Sequence, residues 1–238
     1  MNRNLDKAVR IVKSGGIIIF PTDTAYGIGC RVDDKKAIQR LFKIRKRPQD
    51  KAVPVLASSI EMLEEYVQEI SPEVRSLMEK YWPGGLTLVL NCKKDKIPGL
   101  VRGGGSTIGI RIPAHQTVRE LIKKVGVPIL APSANFSGER TPFKMLDLDP
   151  ELARLVDFVL PGKCSVHKPS TVVDVTQKPW KILRSGAVKI KQKAQTSLKQ
   201  FHAGVKRFEH PHQYPVGIEK SLFALKTNLI LKTREVCI

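Results

Sequence analysis

The chain predicts an α/β fold, a mixed sheet with flanking helices. Three observations point there. Short apolar runs rich in β-branched residues alternate with stretches whose apolar residues recur at helical spacing. Several of the apolar runs follow each other through short turns, which favours a mixed sheet over a purely parallel one. Two of those runs, ending at Pro21 and Pro132, stop at a proline and deliver small polar residues.

The elements follow in order. Residues 5–14 are helical, with Ala8, Val9, Ile11 and Val12 apolar, stopped by Gly15-Gly16. Ile17 to Phe20 is a strand, ended by Pro21, which has no N–H for a ladder. Residues 34–45 form a second helix through Ala37, Ile38, Leu41, Phe42 and Ile44, closed by Pro48. Val53 to Ala57 is a short strand. Ser58 and Glu61 predict a capping box for a helix at 59–67. Ser71-Pro72 supplies a cap and a first-turn proline for the next helix, through Val74, Leu77, Met78 and Tyr81. Pro83-Gly84-Gly85 breaks it, and Leu86 to Leu90 is a strand. A polar loop at 92–106 ends in three glycines. Then come a strand at 107–112, a helix near 115–125 and a strand from Val127 to Ala131. Asp149-Pro150 caps a short helix, and strands at 157–160, 171–175 and 180–183 close the regular part.

The 238 residues suffice for a sizeable core, and 42% are hydrophobic. No apolar run approaches the roughly 20 residues that span a bilayer. The amphipathic N-terminal helix contains Asp6 and is no signal peptide, so a soluble cytoplasmic protein with no membrane partner is expected. The cysteines, at 30, 92, 164 and 237, form no CxxC pair and read as ordinary thiols in a reducing compartment. Lys and Arg number 41 against 22 Asp and Glu, a formal charge of +19. That balance predicts an anionic partner: nucleotide, nucleic acid or acidic membrane. Residues 188–238 hold ten basic and three acidic residues and lack a clear pattern. They are too short for an ordinary second domain of about 100–150 residues. The organisation read here is a main domain at 5–187 and a basic C-terminal extension at 188–238.

Five stretches could carry chemistry. Thr22, Asp23, Thr24 and Tyr26, with Gly27 and Gly29, follow a buried strand; they suit a pocket at its carboxyl end or an ordinary turn. Arg45, Lys46, Arg47 and Lys51 cluster at a helix C-terminus. They are either a solvated cluster favoured by the macrodipole or a phosphate clamp. On the strand TIGIRIP, Thr107, Gly109 and Arg111 share one face, and the three isoleucines take the other. Arg111 is then either solvated or lines a cavity and pairs with a carboxylate. In APSANFSG, Ser133 and Asn135 can bind phosphate or an amino-acid backbone, or cap a turn. Ser170-Thr171 with Arg184-Ser185-Gly186 is the fifth. Gly-x-Gly-x-x-Gly, Walker A and Gly-x-Ser-x-Gly patterns are all absent, and none of the five histidines has a motif partner.

In order, the segments PTDTAYGIG (21–29), RKRP (45–48), PGGLTLVL (83–90), TIGIRIP (107–113), APSANFSG (131–138), STVVD (170–174) and ILRSGA (182–187) resemble one family. It is the YrdC-type L-threonylcarbamoyladenylate synthases, over about residues 5–187. The resemblance implies a YrdC-like twisted mixed sheet with flanking helices around a basic cavity. It implies a nucleotidyltransferase that turns L-threonine, bicarbonate or CO2 and ATP into threonylcarbamoyladenylate and pyrophosphate. A separate threonylcarbamoyltransferase would pass the group to tRNA. Threonine would meet Thr24, Arg111, the Ala131 backbone region and Ser170. ATP would meet Arg47, Lys51, Thr107, Ser133, Thr141 and Arg184, with Asn135 and Arg45 helping; Arg45, Arg47 and Arg111 would stabilise developing charge. Mg2+ would ride on the nucleotide. Arg45 stands where Lys is usual, Lys51 where Asn is common, and Leu56 where many members carry a His that helps bind threonine. The alternative reading is an RNA-binding module of the same fold, using the basic face and tail without ATP turnover.

Overall fold

Four successive apolar residues, Ile17 to Phe20, require cover on both faces of a strand, and they receive it. In the computed structural model, which describes residues 3–190, β1 (Ile18–Phe20) is fully buried. Ile18 and Phe20 pack with Leu5, Val9 and Val12 of α1 (Arg3–Lys13) and with Val118, Leu121 and Ile122 of α5 (Gln116–Val125). Ile17 and Ile19 enter the larger core on the other side, with Ile38 and Leu41 of α2 (Lys35–Ile44), Met78 of α4 (Pro72–Tyr81) and Leu86 and Leu88.

The strands form two mixed sheets rather than one. The smaller has the order β2-β1-β7, with β2 at Gly27–Gly29 and β7 at Phe158–Val159. β1 runs antiparallel to β2 and parallel to β7. The larger has the order β6-β3-β5-β4-β8-β9. Its strands are β3 (Val55–Leu56), β4 (Leu86–Asn91), β5 (Thr107–Arg111), β6 (Ile129–Leu130), β8 (Thr171–Asp174) and β9 (Lys181–Arg184). The β3–β5 and β4–β8 pairs are parallel; β3–β6, β4–β5 and β8–β9 are antiparallel. Isolated bridges, Gly27 to Ser133 and Arg31 to Ile129, tie β2 to the β6 segment of the larger sheet.

Several expected details move. β2 was expected as a glycine-bearing turn; its glycines are there because the strand lies against other backbone. A Cβ at Gly29 would sit 1.8 Å from the Leu130 carbonyl oxygen. The third helix is α3 (Ile60–Glu64), and its cap is Ser59, whose side chain accepts from Met62 N, not Ser58. Ser71 and Asp149 cap α4 and α6 (Pro150–Leu155) as their sequences predict. Val188 and Ile190 pack against the core, whereas residues 191–238 of the expected extension, with HPHQYP and Ile218–Leu231, lie outside the described residues.

Candidate functional site

The turn after β1 is organised by one hydroxyl. Thr22 Oγ1 donates to the Ala25 carbonyl at 2.7 Å and accepts the backbone N–H groups of Thr24 and Ala25 at 3.1 and 3.2 Å. Thr24 Oγ1 lies 3.0 Å away. The turn is thereby stiff before any ligand arrives, as hydroxyl-closed turns are.

β5 ends at this turn. Ile108, Ile110 and Ile112 fill the core on one face, so Arg111 projects from the other, as the two-residue period requires. Its Nη1 donates to Asp23 Oδ1 at 2.7 Å, with side-chain exposures of only 7% and 3%. Its Nη2 donates to Thr22 Oγ1 at 3.2 Å. Ser165 and Val166 donate backbone N–H bonds to the Asp23 carbonyl at 3.1 and 2.8 Å, which seals the turn from behind. Isolated buried charges are costly, and this pairing makes Arg111 tolerable.

The second wall comes from β4, β8 and β9. Thr87 Oγ1 lies 2.8 Å from Ser170 Oγ. Arg184 donates from Nη2 to Ser170 Oγ and from Nε to the Ser170 carbonyl, both at 3.0 Å. Partial burial and the nearby Arg111 both push the Arg184 guanidinium below its usual range. Gly186 permits the closure: a Cβ there would sit 2.2 Å from the Pro169 carbonyl oxygen, to which Ala187 N donates at 2.9 Å.

The third wall is the segment after β6. Ile28 N donates to the Pro132 carbonyl at 3.0 Å and Ala134 N to the Tyr26 carbonyl at 2.9 Å, holding Ser133 over β2. Tyr26 N donates to the Pro142 carbonyl at 3.0 Å, which brings Thr141 to the rim.

These walls enclose one cleft of about 550 Å³, its open mouth included. Of the residues expected in the site, Thr24, Arg111, Ala131, Ser133, Thr141, Ser170 and Arg184 line it, and so does Leu56. Leu56 is the register partner of Arg111 and is apolar where the resemblance expects an imidazole. Arg45, Arg47, Lys51, Thr107 and Asn135 are outside that lining. Arg47 donates to the Lys51 and Ala52 carbonyls at 3.2 and 2.6 Å. Lys51 is exposed, and Thr107 opens β5 about 13 Å from Arg111, by strand rise.

Arg45 is the unusual group. It is 2% exposed. Its Nε donates to the Asn135 carbonyl at 3.0 Å, and Ser137 N donates to the Arg45 carbonyl at 2.9 Å. Yet Arg45 Nη1 and Asn135 Oδ1 are both buried without a partner. No carboxylate among the described residues pairs with Arg45. Burial first, then Arg47, pushes its guanidinium down to about 10. Of the two orphans only Arg45 Nη1 is a donor that an anion could accept from; Asn135 Oδ1 is an acceptor, and its Nδ2 is spent on the Phe136 and Glu139 carbonyls.

Sequence reasoning put Thr22, Asp23 and Tyr26 in the first candidate stretch but named no carboxylate for Arg111, and it missed Thr87 in the walls. Thr87 carried a signal, being the one polar residue within the run LTLVL.

The Sua5_yciO_yrdC family model, described as Telomere recombination, matches residues 10–186. A second model, Nicotinate phosphoribosyltransferase C-terminal domain, matches residues 153–226. Threonylcarbamoyl-AMP synthases of Pyrococcus abyssi and Bacillus subtilis are 34% and 33% identical over 186 residues, covering 78% and 76% of this chain. Those matches cover 54% and 53% of the two synthases, so the chain spans about half their length. The crystal structure of P. abyssi Sua5 complexed with L-threonine has a TM-score of 0.71 at 34% identity, covering 76% of this chain and 54% of that one. Escherichia coli YciO has a TM-score of 0.73 at 29% identity, covering 81% and 93%.

Proposed function

The chain belongs to the Sua5/YciO/YrdC family, and from that premise we propose that it is a threonylcarbamoyl-AMP synthase. The substrates are L-threonine, bicarbonate or CO2, and ATP; the second product is pyrophosphate. The carrying observation is the single cleft in which the Arg111 and Arg184 guanidinium groups, from two strands, meet the hydroxyls of Thr22, Thr24, Thr87, Ser133, Thr141 and Ser170. Arg111 is neutralised by Asp23, whereas Arg184 is held by neutral oxygens and keeps its charge for a ligand.

In this reading threonine lies against Thr24, Arg111, the Ala131 backbone and Ser170. The amino acid is recognised by an ion pair already oriented, so little side-chain entropy is lost on binding. Leu56 makes part of that wall apolar. The ATP phosphates extend past Ser133, Thr141 and Arg184 toward Arg45 and Asn135, and Arg47, Lys51 and Thr107 serve the outer part of the nucleotide. The unsatisfied Arg45 Nη1 supports that direction.

The threonine amine adds to CO2 and loses a proton, forming a carbamate. A carbamate oxygen attacks the α-phosphorus in line, and the bond to the bridging oxygen breaks to release pyrophosphate. The chain's residues orient the two anions side by side and offset their charge; no covalent nucleophile is required. Among the described residues no three His, Cys, Asp or Glu side chains gather as metal ligands, and the Asp23 carboxylate faces Arg111. Mg2+ would be carried on the nucleotide phosphates, where it would offset their charge. A separate transferase then carries the threonylcarbamoyl group to tRNA, and the cytoplasm is the expected compartment.

The test is pyrophosphate release from ATP and bicarbonate with and without L-threonine. Threonine-dependent release, with the adenylate identified by mass spectrometry, is the expected result. Folded protein that binds ATP yet releases pyrophosphate at the same rate without threonine would rule the reading out.

A further inference from the structure

Thr87 lines the cleft yet meets no substrate in that reading. Every other residue from Leu86 to Leu90 is apolar, and Thr87 is buried to 4% exposure. Two contacts fix its side chain. On one side its methyl lies over Gly109 of β5, where a Cβ would come within 3.4 Å of Thr87 Cγ2. On the other side lies β8, and Thr87 Oγ1 is 2.8 Å from Ser170 Oγ. The parallel register, with Leu86 opposite Thr171 and Thr87 opposite Val172, brings the two hydroxyls together.

The protons of this cluster can be counted. A hydroxyl has one proton and two lone pairs, whereas a guanidinium only donates. Arg184 Nη2 donates to Ser170 Oγ at 3.0 Å, which fills one lone pair. If Thr87 donates to Ser170, the second lone pair is filled as well. The Ser170 proton then has no acceptor among the described residues and turns into the cleft that Ser170 lines. The reverse polarity leaves the Thr87 proton without an acceptor among the described residues. That proton is the deeper one, since Ser170 is 9% exposed and Thr87 4%. A buried, unmatched hydroxyl is costly, so Thr87 is the donor.

We propose that Thr87 is a positioning residue for the amino-acid substrate: its bond to Ser170 commits the Ser170 hydroxyl to donate to a substrate oxygen. The inference deepens the synthase reading and rests on it. Its consequence is orientation. A hydroxyl whose lone pairs are both taken receives a carboxylate or hydroxyl oxygen and turns an ammonium group away. Arg184 alone cannot enforce this, because one Ser170 lone pair would stay open. With the amine kept away from Ser170, it is free to add to CO2.

The experiment is a double-mutant cycle on the full chain. L-Threonine binding is measured by titration calorimetry with bicarbonate and α,β-methylene-ATP present, and pyrophosphate release from ATP is measured alongside. Thr87→Val keeps the β-branched shape and removes the proton; affinity is expected to fall about fivefold, the scale of one hydrogen bond. Ser170→Ala is expected to lose about tenfold or more, as for a bond to a charged group. The double variant is expected to bind no more weakly than Ser170→Ala alone, because Thr87 acts only through Ser170. Thr87→Ser restores the hydroxyl and most of the affinity. Thr87→Ala against Thr87→Ser repeats the comparison without an added methyl, and thermal melting verifies folding. Wild-type affinity in the folded valine variant, or a serine variant as weak as valine, would overturn the proposal. Additive losses in the double variant would overturn it too, by making Thr87 a packing residue. Wild type that binds threonine but releases no pyrophosphate refutes the synthase reading alone, and the cycle still decides on Thr87. Wild type that binds no threonine overturns both.

Discussion

Replacing Arg45 by methionine tests the idea that a buried cation is held ready for an anion. The depression of the guanidinium to about 10 corresponds to about 3 kcal/mol of unfavourable burial of the charged form. Because the native pKa is depressed, that cost is fully present below about pH 10 and fades only as pH rises beyond it. Methionine fills a similar volume without charge. It forfeits the Nε bond to the Asn135 carbonyl, worth about 1 kcal/mol. The unliganded protein should therefore gain about 1–2 kcal/mol, a rise in melting temperature of roughly 3–6 °C for a domain of this size. The same variant should lose most of the thermal stabilisation that wild type gains from ATP or pyrophosphate. Differential scanning fluorimetry with and without ligand reads both effects. A variant that melts several degrees lower and keeps the full ligand shift would refute the reasoning, leaving Arg45 as a clamp on the 135–137 turn.

Asp23→Asn should cost about 3–5 kcal/mol, because it strands Arg111 in a site where both partners are buried; urea unfolding measures it, and a loss below 1 kcal/mol contradicts the pairing. Burial lowers the His115 pKa, although Asp23 pulls the other way. The unfolded chain then binds the extra proton more readily, so His115 contributes a fall in stability as pH drops below its ordinary 6.5. His115→Gln should flatten stability between about pH 7 and 5, and an unchanged profile would exclude His115. Gly186→Ala should displace the 186–188 segment from Pro169 and loosen Arg184 from Ser170. It should raise the KM for threonine or ATP several-fold with a smaller change in melting temperature, and wild-type kinetics would show the backbone contact to be dispensable.

Much of the fold was legible because local signals agree. The helix around Ser71-Pro72, the short helix at Asp149-Pro150 and the strand at 107–111 each carry a pattern and a stop signal that tertiary contacts do not override. β2 was not legible. Gly27-Ile28-Gly29 has almost no β propensity, and the strand exists because β1 on one side and the Leu130–Ser133 backbone on the other offer ladder partners. The division into two sheets is equally non-local. It follows from β1 pairing with β7, some 140 residues later, which no window of sequence contains.

The site divides along the same line. Residue type and spacing selected Thr24, Arg111, Ser133, Ser170 and Arg184, each at the end of an element where a pattern breaks. What they left open was whether Arg111 is solvated or buried. The strand's period puts it opposite the isoleucines, and that is compatible with either. Asp23 decides the matter, together with the layer of chain at 162–166 folded over it. The consequence is chemical. A solvated Arg111 would attract any anion weakly through water, whereas a buried one fixed by Asp23 and Thr22 presents its remaining surface in a low-dielectric cleft, where charge interactions are several-fold stronger. Arg184 supplies the uncompensated charge beside it. In the proposed synthase reading, the asymmetry between the two guanidinium groups, one paired with a carboxylate and one held only by neutral oxygens, would let a zwitterionic amino acid and a polyanionic nucleotide share the one void.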